Sequence, residues 1–329
     1  MPKLVNLGSL CIDNVYSVPN ITAAGETVAG LEYAVYAGGK GLNQSLAAAK
    51  AGARVVHVGC VGSDGRWLKR ELSKSGVDVA AVRETDSPSG HAVIQVNPSG
   101  ENAIVISGGA NRTLDDADIE TAFSSCEADD WLLLQNEINK MEGIFEMASN
   151  GRRKLALNLA PVDERITNYD LGSVDLLIVN EVEAQALSGR SAVDDAFEAL
   201  CARYPSCDVV VTLGRGGLRY GRGSERIALG AFEVEAVDET GAGDAFVGYL
   251  MAALLEGLPM RDALIAGSAA GALAATRAGA ASSIPDREAV SAMIAVAAIQ
   301  RSAKETGADQ FTLDEINAEI EAERRQRKT

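Results

Sequence analysis

The segment Asp238-Glu239-Thr240-Gly241-Ala242-Gly243-Asp244 sets a glycine-rich turn and three carboxylates at the start of a long apolar stretch. Gly-Ala-Gly at a helix start leaves backbone N–H groups unpaired and unshielded, and the positive end of the helix dipole adds to them. A phosphate-sized anion fits such a turn. Asp244 in the first helical turn has two readings. It caps the helix electrostatically, or it accepts the proton of a hydroxyl that attacks a phosphoryl group held beside it. A second glycine-rich stretch, Ala37-Gly38-Gly39-Lys40-Gly41-Leu42-Asn43-Gln44, runs into the helical segment Ser45–Gly52. Its glycines allow close backbone approach, and Lys40 and Asn43 supply donors suited to a polyhydroxylated ligand. The Walker pattern G-x-x-x-x-G-K-[ST] is absent, and a purely structural turn is the alternative.

Two further segments stand at the carboxyl ends of apolar runs, where open α/β sheets bind ligands. Asn180-Glu181-Val182-Glu183 follows Leu176–Val179, and Thr212-Leu213-Gly214-Arg215-Gly216-Gly217 follows Val209–Val211. Helix capping by Asn180 and a simple turn at Gly214 are the plainer readings of each. Other chemistries have little to build on. Of two histidines, His57 lies inside the apolar run Val55–Val61 and is expected to be a buried structural residue. The five cysteines are scattered without a C-x-x-C pair, which argues against a disulfide framework or a thiolate metal site. With 30 Lys+Arg against 46 Asp+Glu, a net charge of −16 would repel a nucleic-acid backbone. No apolar run approaches the length of a membrane span and no signal-peptide pattern opens the chain, so a cytoplasmic protein without a membrane or nucleic-acid partner is expected.

These residues need a scaffold. Short β-rich runs (Leu4–Ser9, Val55–Val61, Trp131–Gln135, Leu155–Leu159, Leu176–Val179, Val209–Leu213) alternate with helical stretches. The helical ones are Gly41–Ala51, Arg66–Ser75, Asp115–Ser124, Glu142–Ser149 and Asp194–Tyr204. The alternation predicts a mainly parallel sheet with helices on both faces. An apolar strand is expected at Phe232–Val237, and two packed helices over Gly243–Ala278 with a break at Gly257-Leu258-Pro259. Thr27–Tyr36 reads as strand-like, and Ala92–Asn97 with Asn102–Ser107 reads as a hairpin. These form either a small sheet standing off the body as a lid or two edge hairpins of the main sheet. After Ile299 the composition turns charged, and Thr312-Leu313-Asp314-Glu315 is a capping box opening a further helix.

Taken together, the motifs A-G-G-K-G-x-N-Q and D-x-T-G-A-G-D-x-F, with Asn6–Asp13, Gly25–Val28 and Leu157–Pro161, make the chain resemble the ribokinase (PfkB) family of carbohydrate and nucleoside kinases over Lys3–Met293. The resemblance implies a three-layer α/β/α fold with a small β lid. The kinase domain would span 1–300, with lid segments at about 13–36 and 89–107, and 301–329 would form a charged helical extension. The implied activity is ATP-dependent phosphorylation of the 5-hydroxyl of a pentose, ribose foremost. A nucleoside kinase or a deoxyribokinase is the alternative, and a catalytically weak sugar- or nucleotide-binding relative is the third reading. The resemblance makes Asp244 the base and Gly241, Ala242 and Gly243 the anion hole. Asp13, Cys11, Gly39, Lys40, Asn43 and Glu137 would hold the sugar together with Asp244. Asn180 and Glu183 would organise Mg²⁺ and the phosphates, and Thr212, Gly214, Gly216, Gly217 and Ser268 would bind the nucleotide. A potassium ion would take ligands from Asp238, Thr240, Ala274, Arg277, Gly279 and Ser283. Relatives of this kind pair their lids, which implies a homodimer.

The chain departs from the family pattern at three places. Cys11 stands where an asparagine is usual, and a thiol is a much poorer hydrogen-bonding group. Glu239 adds a carboxylate beside the expected anion and cation sites, and the charged tail has no counterpart.

Overall fold

A computed structural model of the protein describes residues 2–151 and 153–306. In chain order its first elements are β1 (Leu4–Leu7), β2 (Cys11–Ser17), β3 (Glu32–Gly38), α1 (Lys40–Lys50), β4 (Val55–Gly62), α2 (Arg66–Lys74), β5 (Val82–Thr85), β6 (Gly90–Val96), β7 (Asn102–Ser107), α3 (Asp116–Ser125) and β8 (Trp131–Gln135). Then follow α4 (Met141–Asn150), β9 (Lys154–Asn158), β10 (Leu176–Asn180), α5 (Glu181–Ser188), α6 (Val193–Arg203), β11 (Asp208–Thr212), β12 (Leu218–Arg222), β13 (Glu225–Leu229), α7 (Ala242–Leu255), α8 (Met260–Ala275) and α9 (Arg287–Thr306).

The main sheet has the order β13-β12-β11-β10-β9-β8-β1-β4-β5. The strands from β11 to β5 run parallel, and β12 and β13 close one edge antiparallel. Because successive side chains in a strand point to opposite faces, the near-continuous apolar strands feed two cores at once. Leu4, Leu133, Leu176 and Ile178 pack on one face with α1, α2, α7 and α8 residues such as Leu42, Leu68, Leu250 and Leu264. Val5, Leu132, Leu177 and Val179 pack on the other with α3 to α6 residues such as Ile119, Phe145, Ala184 and Leu200. The three-layer α/β/α architecture follows.

The stand-off segments form their own sheet, with the order β3-β2-β6-β7, rather than edge hairpins of the main one. Its strand β2 leaves β1 after three residues, Gly8-Ser9-Leu10, and β3 leads directly into α1. In register, Asp13 lies beside Tyr36 and Ala92, and Ala92 beside Ile106, so this row shares the face that meets the body. The opposite face carries Tyr16, Tyr33, Val35, Val93 and Val105, all exposed, with the Tyr16 and Tyr33 rings 4.8 Å apart.

Three expectations need correction or redrawing. Thr27–Leu31 is not strand, and β3 begins only at Glu32. Phe232–Val237 is not a strand either: half-buried Phe232, Val234 and Ala236 alternate with exposed neighbours, yet no strand pairs with them. The alternation instead turns that row toward a cavity described below. The expected boundary at 300 falls inside α9, which continues to Thr306, while the Thr312 capping box lies outside the described residues.

Candidate active site

Two helix N-termini meet at the carboxyl side of the sheet. The helix α7 starts from Gly241, whose φ of 77° lies in the left-handed region open to glycine, and α1 starts from Gly39 at φ 92°. Small residues let the helices close up. A Cβ at Gly248 of α7 would collide with Ala47 and come within 2.8 Å of the Gln44 carbonyl of α1. This seam sets Asn43 and Gln44 against Asp244.

The Asp244 carboxylate is buried and held from both sides. Asn43 Nδ2 donates to Oδ2 at 2.9 Å, and Gln44 Nε2 donates to Oδ1 at 2.9 Å. Among the described residues, the backbone N–H groups of Gly243 and Asp244 find no acceptor, so the head of α7 offers donors at the place where a transferring phosphoryl group would sit. Among the described residues Asn43 Oδ1 is buried without a partner, an acceptor left open at the site.

The other residues expected to hold a sugar gather here. Among the described residues nothing donates a hydrogen bond to Asp13. Burial, then the Glu137 and Asp244 carboxylates, push its pKa up to about 7. Glu137 is fixed by the Ser9 hydroxyl and by the Lys40 backbone N–H at 3.0 Å. Burial opposes the charge of the Lys40 ammonium, but Asp244, Glu137 and Glu183 outweigh it and raise its pKa above the ordinary lysine value. Cys11 lies beneath, its Sγ accepting from Asn111 Nδ2 at 3.4 Å. Burial and two nearby carboxylates raise its pKa, so it presents a neutral thiol. Gly38 flanks Asp13 so closely that any Cβ there would strike the carboxylate.

Beside this cluster opens a cavity of about 930 Å³. Asn180, Thr212, Gly214, Gly217, Phe232, Ala242, Gly243 and Ser268 are among the residues that line it. Gly216 belongs to the same turn without lining the cavity. Glu183 lies behind Asn180 in a reciprocal capping box: Asn180 N–H donates to Glu183 Oε2 at 2.7 Å and Asn180 Oδ1 accepts from the Glu183 N–H at 2.9 Å. Burial raises the pKa of Glu183. Arg215 and Glu239 pair across the rim at 3.9 Å. The expected cation residues form a tight turn under the anion loop: Asp238 accepts from the Thr240 and Gly279 N–H groups, and Gly241 packs on Ala280. Ala274 accepts from the Arg277 N–H, and Ser283 Oγ donates to the Ala280 carbonyl. Among the described residues no three His, Cys, Asp or Glu side chains cluster in a metal cage.

Sequence reasoning did not single out Ser9, Gln44, Asn111, Gln135 or Asn158 as site residues. A signal existed: polar side chains inside apolar strand runs, as at Asn6, Gln135 and Asn158, are rarely buried without a partner. His57 is buried as expected. Its Nε2 bonds the Gly8 carbonyl and its Nδ1 the Ser45 hydroxyl, and burial lowers its pKa to about 4. All five cysteines are free and buried, and among the described residues no helix is long and apolar enough to cross a membrane.

Comparison with known proteins agrees with this geometry. The sequence profile described as pfkB family carbohydrate kinase matches residues 1–287. The ribokinase of Haemophilus influenzae is 37% identical over 295 residues, covering 87% of this chain and 96% of that protein. A deoxyribokinase of Salmonella typhi is 30% identical over 254 residues, covering 74% and 82%. The structure of Arabidopsis thaliana ribokinase complexed with ribose and ATP superposes with a TM-score of 0.80 at 30% identity, covering 89% of this chain and 98% of that one. The chain belongs to the pfkB family of carbohydrate kinases.

Proposed function

We propose that the protein is a cytoplasmic kinase that transfers the γ-phosphoryl group of ATP to the 5-hydroxyl of a pentofuranose, ribose foremost. The observation that carries this is the Asp244 carboxylate, held by Asn43 and Gln44 in the first turn of a helix where, among the described residues, the Gly243 and Asp244 N–H groups find no acceptor. Asp244 takes the hydroxyl proton as the oxygen attacks, and the Gly241–Gly243 turn and Lys40 face the charge that gathers on the phosphoryl oxygens. Asp13, Glu137 and Asn43 bond the ring hydroxyls, with Cys11, Gly39 and Lys40 completing the wall. The adenosine end occupies the cavity beside Thr212–Gly217 and Ser268.

A Mg²⁺ ion at the phosphates, if bound, would supply positive charge against theirs. Glu183, held behind Asn180 beside a cavity wall that also carries Glu181 and Glu239, would join an ion held mainly by phosphate oxygens and water. Asn180 keeps that carboxylate in place. Potassium suits the Asp238–Ser283 turn, because a cation there would brace the loop on which Gly241 rests. The exposed apolar lid face suits a second copy of the chain.

A second reading, a deoxyribokinase, is favoured by Cys11. Its neutral thiol already accepts from Asn111 and is a weak partner for a 2-hydroxyl. ATP-dependent phosphorylation of ribose, 2-deoxyribose and a panel of nucleosides, in the wild type and in Asp244→Asn, is the test. The expected outcome is pentose-specific turnover that falls at least ~10²-fold in the variant while sugar binding persists. Near-normal turnover of Asp244→Asn removes the base. Faster turnover of nucleosides than of either pentose overturns the substrate. If Cys11 governs the choice, Cys11→Asn shifts kcat/KM toward ribose.

A further inference from the structure

Beneath Asp244 lies a chain of buried amides that the motif residues do not explain. The Gly41 carbonyl can only accept a hydrogen bond, so the group that meets it, 2.8 Å away, is Asn6 Nδ2. Asn6 Oδ1 must then face Gln135, whose Nε2 donates to it at 3.0 Å and to Gln44 Oε1 at 2.8 Å. From the other side, Asn158 Nδ2 donates to the Ile178 carbonyl, which leaves Asn158 Oδ1 as an acceptor. With its oxygen engaged by Gln135, the Gln44 amide has one sense left: Nε2 donates to Asn158 Oδ1 at 2.8 Å and to Asp244 Oδ1 at 2.9 Å. Two backbone carbonyls thus fix the direction of the whole chain. Asn6, Gln44 and Gln135 are fully buried, and water does not compete with the arrangement. Among the described residues Gln135 Oε1 has no partner, an unmet acceptor in the interior.

We propose that Gln44 is a positioning residue for the reaction: its N–H, presented in a fixed sense by Gln135 and Asn158, anchors Asp244 Oδ1 so that Oδ2 stays on the side of Asn43 and the sugar. Gln44 is fully buried behind the carboxylate. Its contribution is to the geometry of proton transfer, not to binding. The inference rests on Asp244 being the base.

The experiment compares the wild type with Gln44→Met, of similar length but without an N–H donor, and with Gln135→Met, which leaves Gln44 in place but releases its oxygen. Each is assayed on whichever pentose the wild type phosphorylates best, and sugar binding is measured by calorimetry. Gln44→Met is expected to lose about 10- to 100-fold in kcat, the scale of a small misplacement at the reacting atoms. KM for sugar and for ATP stays within about threefold, and calorimetric affinity holds. Gln135→Met is expected to lose less in kcat, again without a change in KM. Should Gln44→Met fail to fold, Gln135→Met carries the test alone. A kcat within twofold of wild type in the folded variants, or a loss that appears in KM, overturns the inference and leaves the functional reading standing. A wild type that phosphorylates no sugar overturns the functional reading, and this role of Gln44 with it.

Discussion

Asp13 is a carboxylate placed where ionisation is disfavoured. Burial first, and then the Glu137 and Asp244 charges, bring its pKa up to about 7. An ionised Asp13 accepts hydrogen bonds from sugar hydroxyls, whereas a protonated one offers fewer lone pairs and competes as a donor. Sugar affinity therefore falls as pH drops through 7: KM for the sugar is expected to rise by up to about tenfold per unit below that value. In Asp13→Asn the KM should be high and nearly flat between pH 6 and 8, and an unchanged slope in that variant would assign the titration elsewhere. At this scale much of the candidate site was legible in the sequence, because Asp244, Lys40 and Asn43 sit in glycine-rich turns whose chemistry is local. The part Gln44 plays was not, since an amide closing a motif reveals nothing until the carboxylate 200 residues away is brought beside it.

At the scale of elements, the parallel sheet and its helices followed from the alternation of apolar runs. Two pieces did not. The hairpin β12–β13 turns through two residues, Gly223-Ser224, a glycine-led signal separated from the glycines of the Thr212 turn only by β12 itself. Phe232–Val237 has strand periodicity without a partner strand, which no single-sequence pattern distinguishes. The seam between α1 and α7 is where element packing governs chemistry. Gly248→Leu would overpack it at a cost of about 1–3 kcal/mol and push Gln44 off Asp244. A lowered melting temperature together with a kcat loss of about tenfold or more is expected. A destabilised variant with full kcat would separate the seam from catalysis.

For the whole molecule, the lid is the part that turns apolar side chains outward. Tyr16, Tyr33, Val35, Val93 and Val105 lie together on one face of a four-stranded sheet, in a chain of net charge −16. Light scattering at micromolar concentration is expected to report a dimer, and Val35→Lys with Val105→Glu a monomer; a monomeric wild type would contradict the pairing. Asn43 meets Asp244 across 201 residues, with the sheet and the lid strands β6 and β7 threaded between them. A contact of such long range forms late, after the local helices that carry it. The proposed base and its donors are thus assembled from the first sixth of the chain and its last third, and no shorter stretch holds both. Recovered activity then reports the completion of folding: in refolding from denaturant, helical circular dichroism should return before phosphoryl transfer does, and simultaneous recovery would contradict this order.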